Sequence, residues 1–169
     1  PASVAPAGGP GGVRLLAPAG LSAATGSRDW RLDVDVAGPP EGARQRLASA
    51  GDWARLGQLY RDDGAVGGRR ILPEGWVRYS ASLTPGGWVG YGAGFWTNRG
   101  DSFGANYRAE RGMPRDALFA KGTIGQYVII IPSERLVIVR LGRSPNWPPG
   151  ADGVLRLVSA VSAATGGKA

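Results

Sequence analysis

The chain contains neither cysteine nor histidine among its 169 residues. Without cysteine it can form no disulfide bond and no thiolate metal site. Without histidine it lacks the commonest general base and the commonest metal ligand. Ser-His-Asp and Cys-His catalytic groups are therefore excluded, and any chemistry has to use hydroxyl groups, carboxylates, lysine or the backbone. We expect no metal and no cofactor.

Lysine is nearly as scarce, because Lys121 and Lys168 are the only lysines of the chain. The net charge of +7 comes from scattered arginines, and Arg69-Arg70 is the longest basic run. Nucleic-acid-binding proteins usually carry a basic stripe with interleaved aromatic residues, so we expect no nucleic-acid partner. No apolar run approaches the roughly 20 residues that span a bilayer, so we expect no membrane span.

The remaining composition is that of a globular protein, with 43% hydrophobic and 20% charged residues. The 29 glycines and 13 prolines predict many turns. Residues 1–20 are rich in proline, alanine and glycine and predict a loosely ordered segment. Residues 21–169 then form the folded part, which is long enough to bury a sizeable core.

Three helices are predicted. The first follows a capping box at 49–52 and stops at 62–64. The second begins near Pro73, within 73–82, and the third covers 152–165 and packs on a sheet. The apolar residues expected to pack inward in the first two helices are Trp53, Leu56, Leu59, Tyr60, Trp76, Val77 and Tyr79.

Period-two alternation predicts strands at 30–36 and 88–96. Two further strands meet at a glycine-rich bend within 118–131, and another covers 135–140. A turn is expected at Gly67-Gly68, a loop over 98–114 and a turn at 145–149.

The bend between the two central strands is the most informative feature. Thr123, Gly125 and Gln126 could place bare backbone N–H groups beside a substrate and form one wall of a cleft. Lys121 shares a strand face with Thr123. A plain hairpin bend is the alternative, and Tyr91 is either a core residue or a cleft-lining one.

No complete nucleophile motif accompanies this bend. A phosphate loop of the type GxxxxGK[ST] is absent. Serine hydrolases without histidine use a Ser-x-x-Lys pair, in which the lysine activates the hydroxyl one helical turn away. Neither lysine has a serine three residues earlier, because position 118 is leucine and position 165 is threonine.

Five ordered blocks resemble the C-terminal part of the serine beta-lactamase-like family, which includes class C beta-lactamases, esterases and 6-aminohexanoate-dimer hydrolases. The resemblance covers roughly residues 45–142 and, weakly, 15–45. The blocks are 51–64, 68–77, 91–96, 119–127 and 131–140.

This resemblance implies an α+β fold with an antiparallel sheet flanked by helices, incomplete without an N-terminal part that carries the nucleophile. Thr123 and Gly125 would belong to the third family motif, and Gln126 would supply an oxyanion N–H. Lys121 and Tyr91 would contact substrate. The Ser-x-x-Lys motif would lie upstream of Pro1, and the second family motif, Tyr-x-Asn or Ser-x-Asn, would precede the first predicted helix. No Tyr-x-Asn occurs in the chain, and Ser144-Pro-Asn146 comes after the third motif. Thr123 stands where lysine or histidine is usual.

Two functions follow as expectations from this resemblance. The chain is the C-terminal portion of a serine hydrolase that acts on a small amide or ester through an acyl-enzyme, with the nucleophile on a missing segment or second chain. The alternative is a degenerate, non-catalytic subunit used in binding or assembly. An unrelated basic binding module is a third, disfavoured interpretation. The resemblance slightly favours a periplasmic or secreted location.

Overall fold

The structure is a computed structural model that describes residues 25–27, 30–32, 46–122, 125–143 and 149–166. The chain divides into two compact units, residues 1–56 and 57–169, and each is considered by itself. The segment predicted to be loosely ordered lies outside the described residues, as does most of the turn at 145–149. The predicted strand at 30–36 is described only as far as Leu32.

In the first unit, strand β1 (Arg31–Leu32) pairs with β2 (Arg46–Leu47) in antiparallel register. Helix α1 (Ala50–Arg61) begins in this unit and ends in the second. Its start is capped as predicted, because the Asp52 N–H donates to Ser49 Oγ at 3.2 Å. The helix ends at Arg61, and the turn after it ends at Gly64, whose φ of 83° suits glycine.

A short hairpin and a short helix follow α1. Strands β3 (Ala65–Val66) and β4 (Arg69–Arg70) pair through the Gly67-Gly68 turn, which confirms that prediction. Helix α2 (Trp76–Ser80) is shorter than expected. Only Val77 of its apolar residues is buried, while Trp76 and Tyr79 are 44% and 62% exposed, so the prediction that all three pack inward is wrong.

The main sheet is antiparallel and has the order β5-β6-β7-β8. A 3-10 turn, Pro132–Glu134, joins its last two strands, and Arg135 closes it with a φ of 51°. The central hairpin and the strand at its edge appear where the sequence predicts them. The four strands are β5 (Trp96–Thr97), β6 (Leu118–Gly122), β7 (Gln126–Ile131) and β8 (Leu136–Arg140).

Both faces of this sheet are covered, since three consecutive isoleucines of β7, at 129, 130 and 131, are each 0% exposed. One face packs against the C-terminal helix α4 (Pro149–Ala164). The other meets α1 at Gly57, where an added Cβ would overlap Val137 Cγ1. The hydrophobic core between the sheet and helix α4 consists of Met113, Ala117, Phe119, Tyr127, Ile129, Ile131, Ile138, Val154, Leu155 and Val158.

The predicted strand at 88–96 is wrong. Only its last residue, Trp96, belongs to a strand, and Tyr91 makes an isolated bridge to Trp96. The glycines that produce the alternation serve turns instead: Gly90 and Gly94 have φ values of 80° and 87°. A Cβ at Gly92 would overlap the Ser80 carbonyl oxygen. Close backbone approaches, not an alternating strand face, therefore explain this pattern.

The predicted loop over 98–114 contains a further helix, α3 (Phe103–Ala109). Ser102 is its N-cap, and its hydroxyl accepts a hydrogen bond from the Ala105 N–H at 3.2 Å. With this correction, the expected α+β fold of an antiparallel sheet flanked by helices is confirmed. None of the described helices is long and apolar enough to cross a membrane.

Candidate functional site

The end of the β6–β7 hairpin is where the sequence places a cleft wall. Gly122 and Gln126 form the last residue pair before the turn, and both are exposed. Gly125 is buried and has a φ of 90°, a conformation that glycine adopts without strain. Its carbonyl oxygen accepts a hydrogen bond from Arg140 Nη1. Thr123 lies outside the described residues.

Lys121 and Tyr91, the two residues expected to contact substrate, both touch Trp96. The Lys121 ammonium lies 5.7 Å from the centroid of the Trp96 ring. Tyr91 meets the same indole edge-on, with ring centroids 5.3 Å apart. Within the described part of the chain, Lys121 forms no ion pair, and its side chain is exposed. The structure therefore gathers these two predicted residues around one aromatic ring.

An apolar cavity of about 170 Å³ opens beside Lys121. It lies between the face of the sheet that carries Phe119, helix α3 and helix α4. Two of its lining side chains, Trp88 and Phe103, are 69% and 65% exposed, and Tyr91 is not among those that line it. The lining residues are Trp88, Val89, Trp96, Phe103, Gly104, Tyr107, Arg108, Met113, Phe119, Lys121, Tyr127, Val154 and Leu155.

Arg108 brings a second positive charge to the cavity wall. Its guanidinium donates to Asn98 Oδ1 at 3.2 Å, to the Val89 carbonyl at 3.2 Å and to the Thr97 carbonyl at 2.8 Å. It also lies 5.1 Å from the centroid of the Phe119 ring. Burial lowers the pKa of Arg108 to about 10, so the group stays protonated at neutral pH.

The sequence interpretation missed Arg108, because the segment that contains it was predicted to be a loop. The signal that could have revealed its setting is the helix cap at Ser102, which fixes which residues of α3 face inward. No local pattern indicates that its guanidinium reaches the backbone of residues 89 and 97.

A polar link joins the two helices that border the cavity. The Tyr107 hydroxyl donates to Asp152 Oδ1 at 2.7 Å, and this hydrogen bond raises the pKa of Tyr107. Arg111 lies over the Tyr107 ring at 3.6 Å and places its Nε 3.8 Å from the same carboxylate oxygen. These contacts hold α3 against α4 on one side of the cavity.

The cavity has the chemistry of a binding site. Its lining contains no serine, threonine or carboxylate, and its hydroxyl-bearing and charged side chains are those of Tyr107, Tyr127, Arg108 and Lys121. Among the residues that the structure describes, no cluster of acidic side chains could hold a metal ion. The lining can enclose an apolar group and place two cations beside it.

Comparisons with known proteins find similarity among solved structures. No protein-family model matches the sequence, and no curated protein matches it. A crystal structure described as a "putative beta-lactamase" from Bacteroides dorei DSM 17855 is similar with a TM-score of 0.49 and 18% sequence identity. The match covers 74% of this chain and 42% of that chain, so this chain spans less than half of that protein's length.

Proposed function

We propose that this chain is the sheet-bearing C-terminal portion of a serine hydrolase that cleaves amide or ester bonds through an acyl-enzyme. The observation that supports this proposal is the exposed end of the β6–β7 hairpin, where Gly122 and Gln126 face solvent beside Lys121. The order of the five sequence blocks around this hairpin agrees with it. The nucleophile would come from a missing N-terminal segment or a second chain.

In this proposal the hairpin end is one side of the active site. The Gln126 backbone N–H would donate to the oxygen that becomes negative when serine attacks the carbonyl carbon. Gly125, having no side chain, would let the substrate approach the backbone there, and Thr123 would occupy the position of the third motif. Lys121 and Tyr91 would contact the substrate from the neighbouring strand and turn.

The second candidate is a non-catalytic subunit used in binding or assembly. Two observations favour it over a working enzyme. Thr123 stands where the resembled family has lysine or histidine. Among the described residues, Lys121 has no hydroxyl partner that it could activate, since its contact is with the Trp96 ring.

Covalent labelling tests the proposal. We expect the isolated chain to form no adduct with a fluorophosphonate or a penicillin probe, because it carries no activated serine, and intact mass spectrometry measures this. An active serine hydrolase in the same mixture is the positive control. An adduct on the isolated chain would contradict the proposal.

A second measurement separates the two candidates. The chain is combined with a segment that bears Ser-x-x-Lys and is encoded next to it. Labelling of that segment only in the presence of this chain supports the hydrolase. A stable complex that stays unlabelled supports the non-catalytic subunit.

A further inference from the structure

The cavity beside α3 is built mainly from apolar side chains. Its volume of about 170 Å³ is similar to that of an engineered apolar cavity of about 150 Å³ that binds benzene. Trp88 and Phe103 continue the apolar lining outwards, with ring centroids 6.1 Å apart. Exposed aromatic pairs of this kind commonly mark binding sites, because a ligand that covers them removes apolar surface from water.

The charges on the wall have one sign. Arg108 and Lys121 line the cavity, and no acidic residue does. Three of the five guanidinium N–H groups of Arg108 are accounted for by its bonds to Asn98, Val89 and Thr97. The remaining donors of Arg108 and the ammonium of Lys121 can serve an anion. Cations beside a largely apolar lining suit a ligand that has a negative head and an apolar body.

We propose that this cavity binds a small amphipathic monocarboxylate, with one ring or a short aliphatic body inside and its carboxylate towards Arg108 and Lys121. Apolar burial would provide most of the affinity, and the two cations would select the head group. This site does not depend on the proposed hydrolase activity, because the binding uses no nucleophile. The isolated chain is therefore sufficient to test it.

Three probes that share a phenylpropyl body distinguish the head groups: 3-phenylpropionate, 3-phenylpropan-1-ol and 3-phenylpropylamine. Isothermal titration calorimetry on the full chain measures each affinity at neutral pH and low salt. We expect the carboxylate to bind about tenfold more tightly than the alcohol, as hydrogen bonds to charged partners allow, and the amine to bind most weakly. Equal affinities, a preference for the amine or no binding of any probe would overturn the proposal.

Two exposed residues allow the site to be changed without disturbing the core. Lys121→Met keeps a side chain of similar length without its charge. It should weaken the binding of 3-phenylpropionate several-fold while leaving the affinity for 3-phenylpropan-1-ol unchanged. Phe103→Ala should weaken the binding of both the carboxylate and the alcohol, because it removes part of the apolar lining. Arg78→Gln removes one positive charge from an exposed residue of α2 outside the lining and should alter neither affinity. Carboxylate binding that is unaffected by both Lys121→Met and Phe103→Ala would contradict the assignment.

Discussion

At the scale of single residues, Arg108 holds together parts of the chain that are distant in sequence. Its guanidinium joins helix α3 to the carbonyl groups of Val89 and Thr97 and to the side chain of Asn98. Asn98 is itself fully buried and donates to the Met113 carbonyl at 2.8 Å. The turns that precede β5 are therefore fixed by one cation, which lysine cannot replace because its donors diverge from a single nitrogen.

We expect Arg108→Lys to lower the free energy of unfolding by about 1–3 kcal/mol, because at least one buried acceptor would lose its donor. Urea unfolding followed by tryptophan fluorescence measures the change. Arg99→Lys is the matched control, since Arg99 is exposed, and it should alter stability by less than about 0.5 kcal/mol. Equal stability of the two variants would show that the three hydrogen bonds of Arg108 contribute little.

Tyr107 provides a residue-scale prediction about pH. Its pKa is raised in the folded state, chiefly because its hydroxyl donates to Asp152. A raised folded pKa means that the contribution of this bond is complete below the unfolded tyrosine pKa of about 10 and is lost as pH rises through the folded pKa. We expect Asp152→Ala to lower the pKa of Tyr107, which ¹³Cζ NMR of labelled tyrosine measures.

Tyr127 is the internal control for that titration. Its pKa is also raised, but burial is the main cause, and Asp152 is not among the causes. The Tyr127 resonance should therefore keep its high pKa in the Asp152→Ala variant. A parallel fall in both values would mean that the substitution loosens the core instead of removing one hydrogen bond.

At the scale of elements, the contact between helix α1 and the sheet depends on the absence of a side chain. Gly57 sits inside the helix, where glycine is normally less favourable than alanine by about 1 kcal/mol. The position requires glycine because Val137 Cγ1 of β8 occupies the space that a Cβ would fill. Val128 Cγ1 of β7 would lie 3.4 Å from the same Cβ. Close packing of helix on sheet thus outweighs helix propensity.

We expect Gly57→Ala to destabilise the protein by about 1–3 kcal/mol, which is the usual cost of overpacking. Gly153→Ala in α4 is the matched control, because an added Cβ there would meet only the Arg156 side chain at 3.9 Å. That control should be neutral or more stable, by up to about 1 kcal/mol. Thermal unfolding measures the stability of both variants. The double variant Gly57→Ala/Val137→Ala, which removes Cγ1 of residue 137, should be less destabilised than the sum of its two single substitutions if the overlap is responsible.

At the scale of the whole molecule, the chain combines a well-covered sheet with a sequence that contains no Ser-x-x-Lys motif. Strands β6 to β8 are supported on one face by α4 and contacted on the other by α1. Rigid strands of this kind can hold backbone donors in place at a hairpin end. The hydrolase proposal therefore assigns positioning to this chain and the nucleophile to another segment.

In an enzyme completed by that segment, Gln126→Pro removes the backbone N–H that is proposed as an oxyanion donor. We expect kcat to fall by about 10²–10³-fold, the usual effect of losing one such donor. Gln126→Ala keeps the N–H and should retain most of the activity. Circular dichroism checks that the proline variant keeps its sheet, and equal activity of the two folded variants would exclude the Gln126 N–H from catalysis.

Long elements with a clear period are predictable because their signal is local. The capping box and apolar face of α1, the strands β6 to β8 and the C-terminal helix all follow from residue spacing. The absence of cysteine and histidine likewise excludes whole classes of chemistry without any coordinates. Helix α2, by contrast, exposes Trp76 and Tyr79, because a helix of a single turn is placed by its neighbours rather than by its own apolar pattern.

The sequence by itself thus determined the fold class, the central hairpin and the lack of a complete nucleophile motif. Only the tertiary structure decided that Gly90 and Gly94 adopt positive φ and that Gly92 lies against the Ser80 carbonyl. It also decided that Arg108 joins α3 to the backbone of residues 89 and 97, and that an apolar cavity opens beside Lys121. The physical reason is how far apart in the sequence the interacting residues lie. Period and capping act over a few neighbouring residues, whereas the cavity arises from contacts among residues 88 to 155, which only the folded chain brings together.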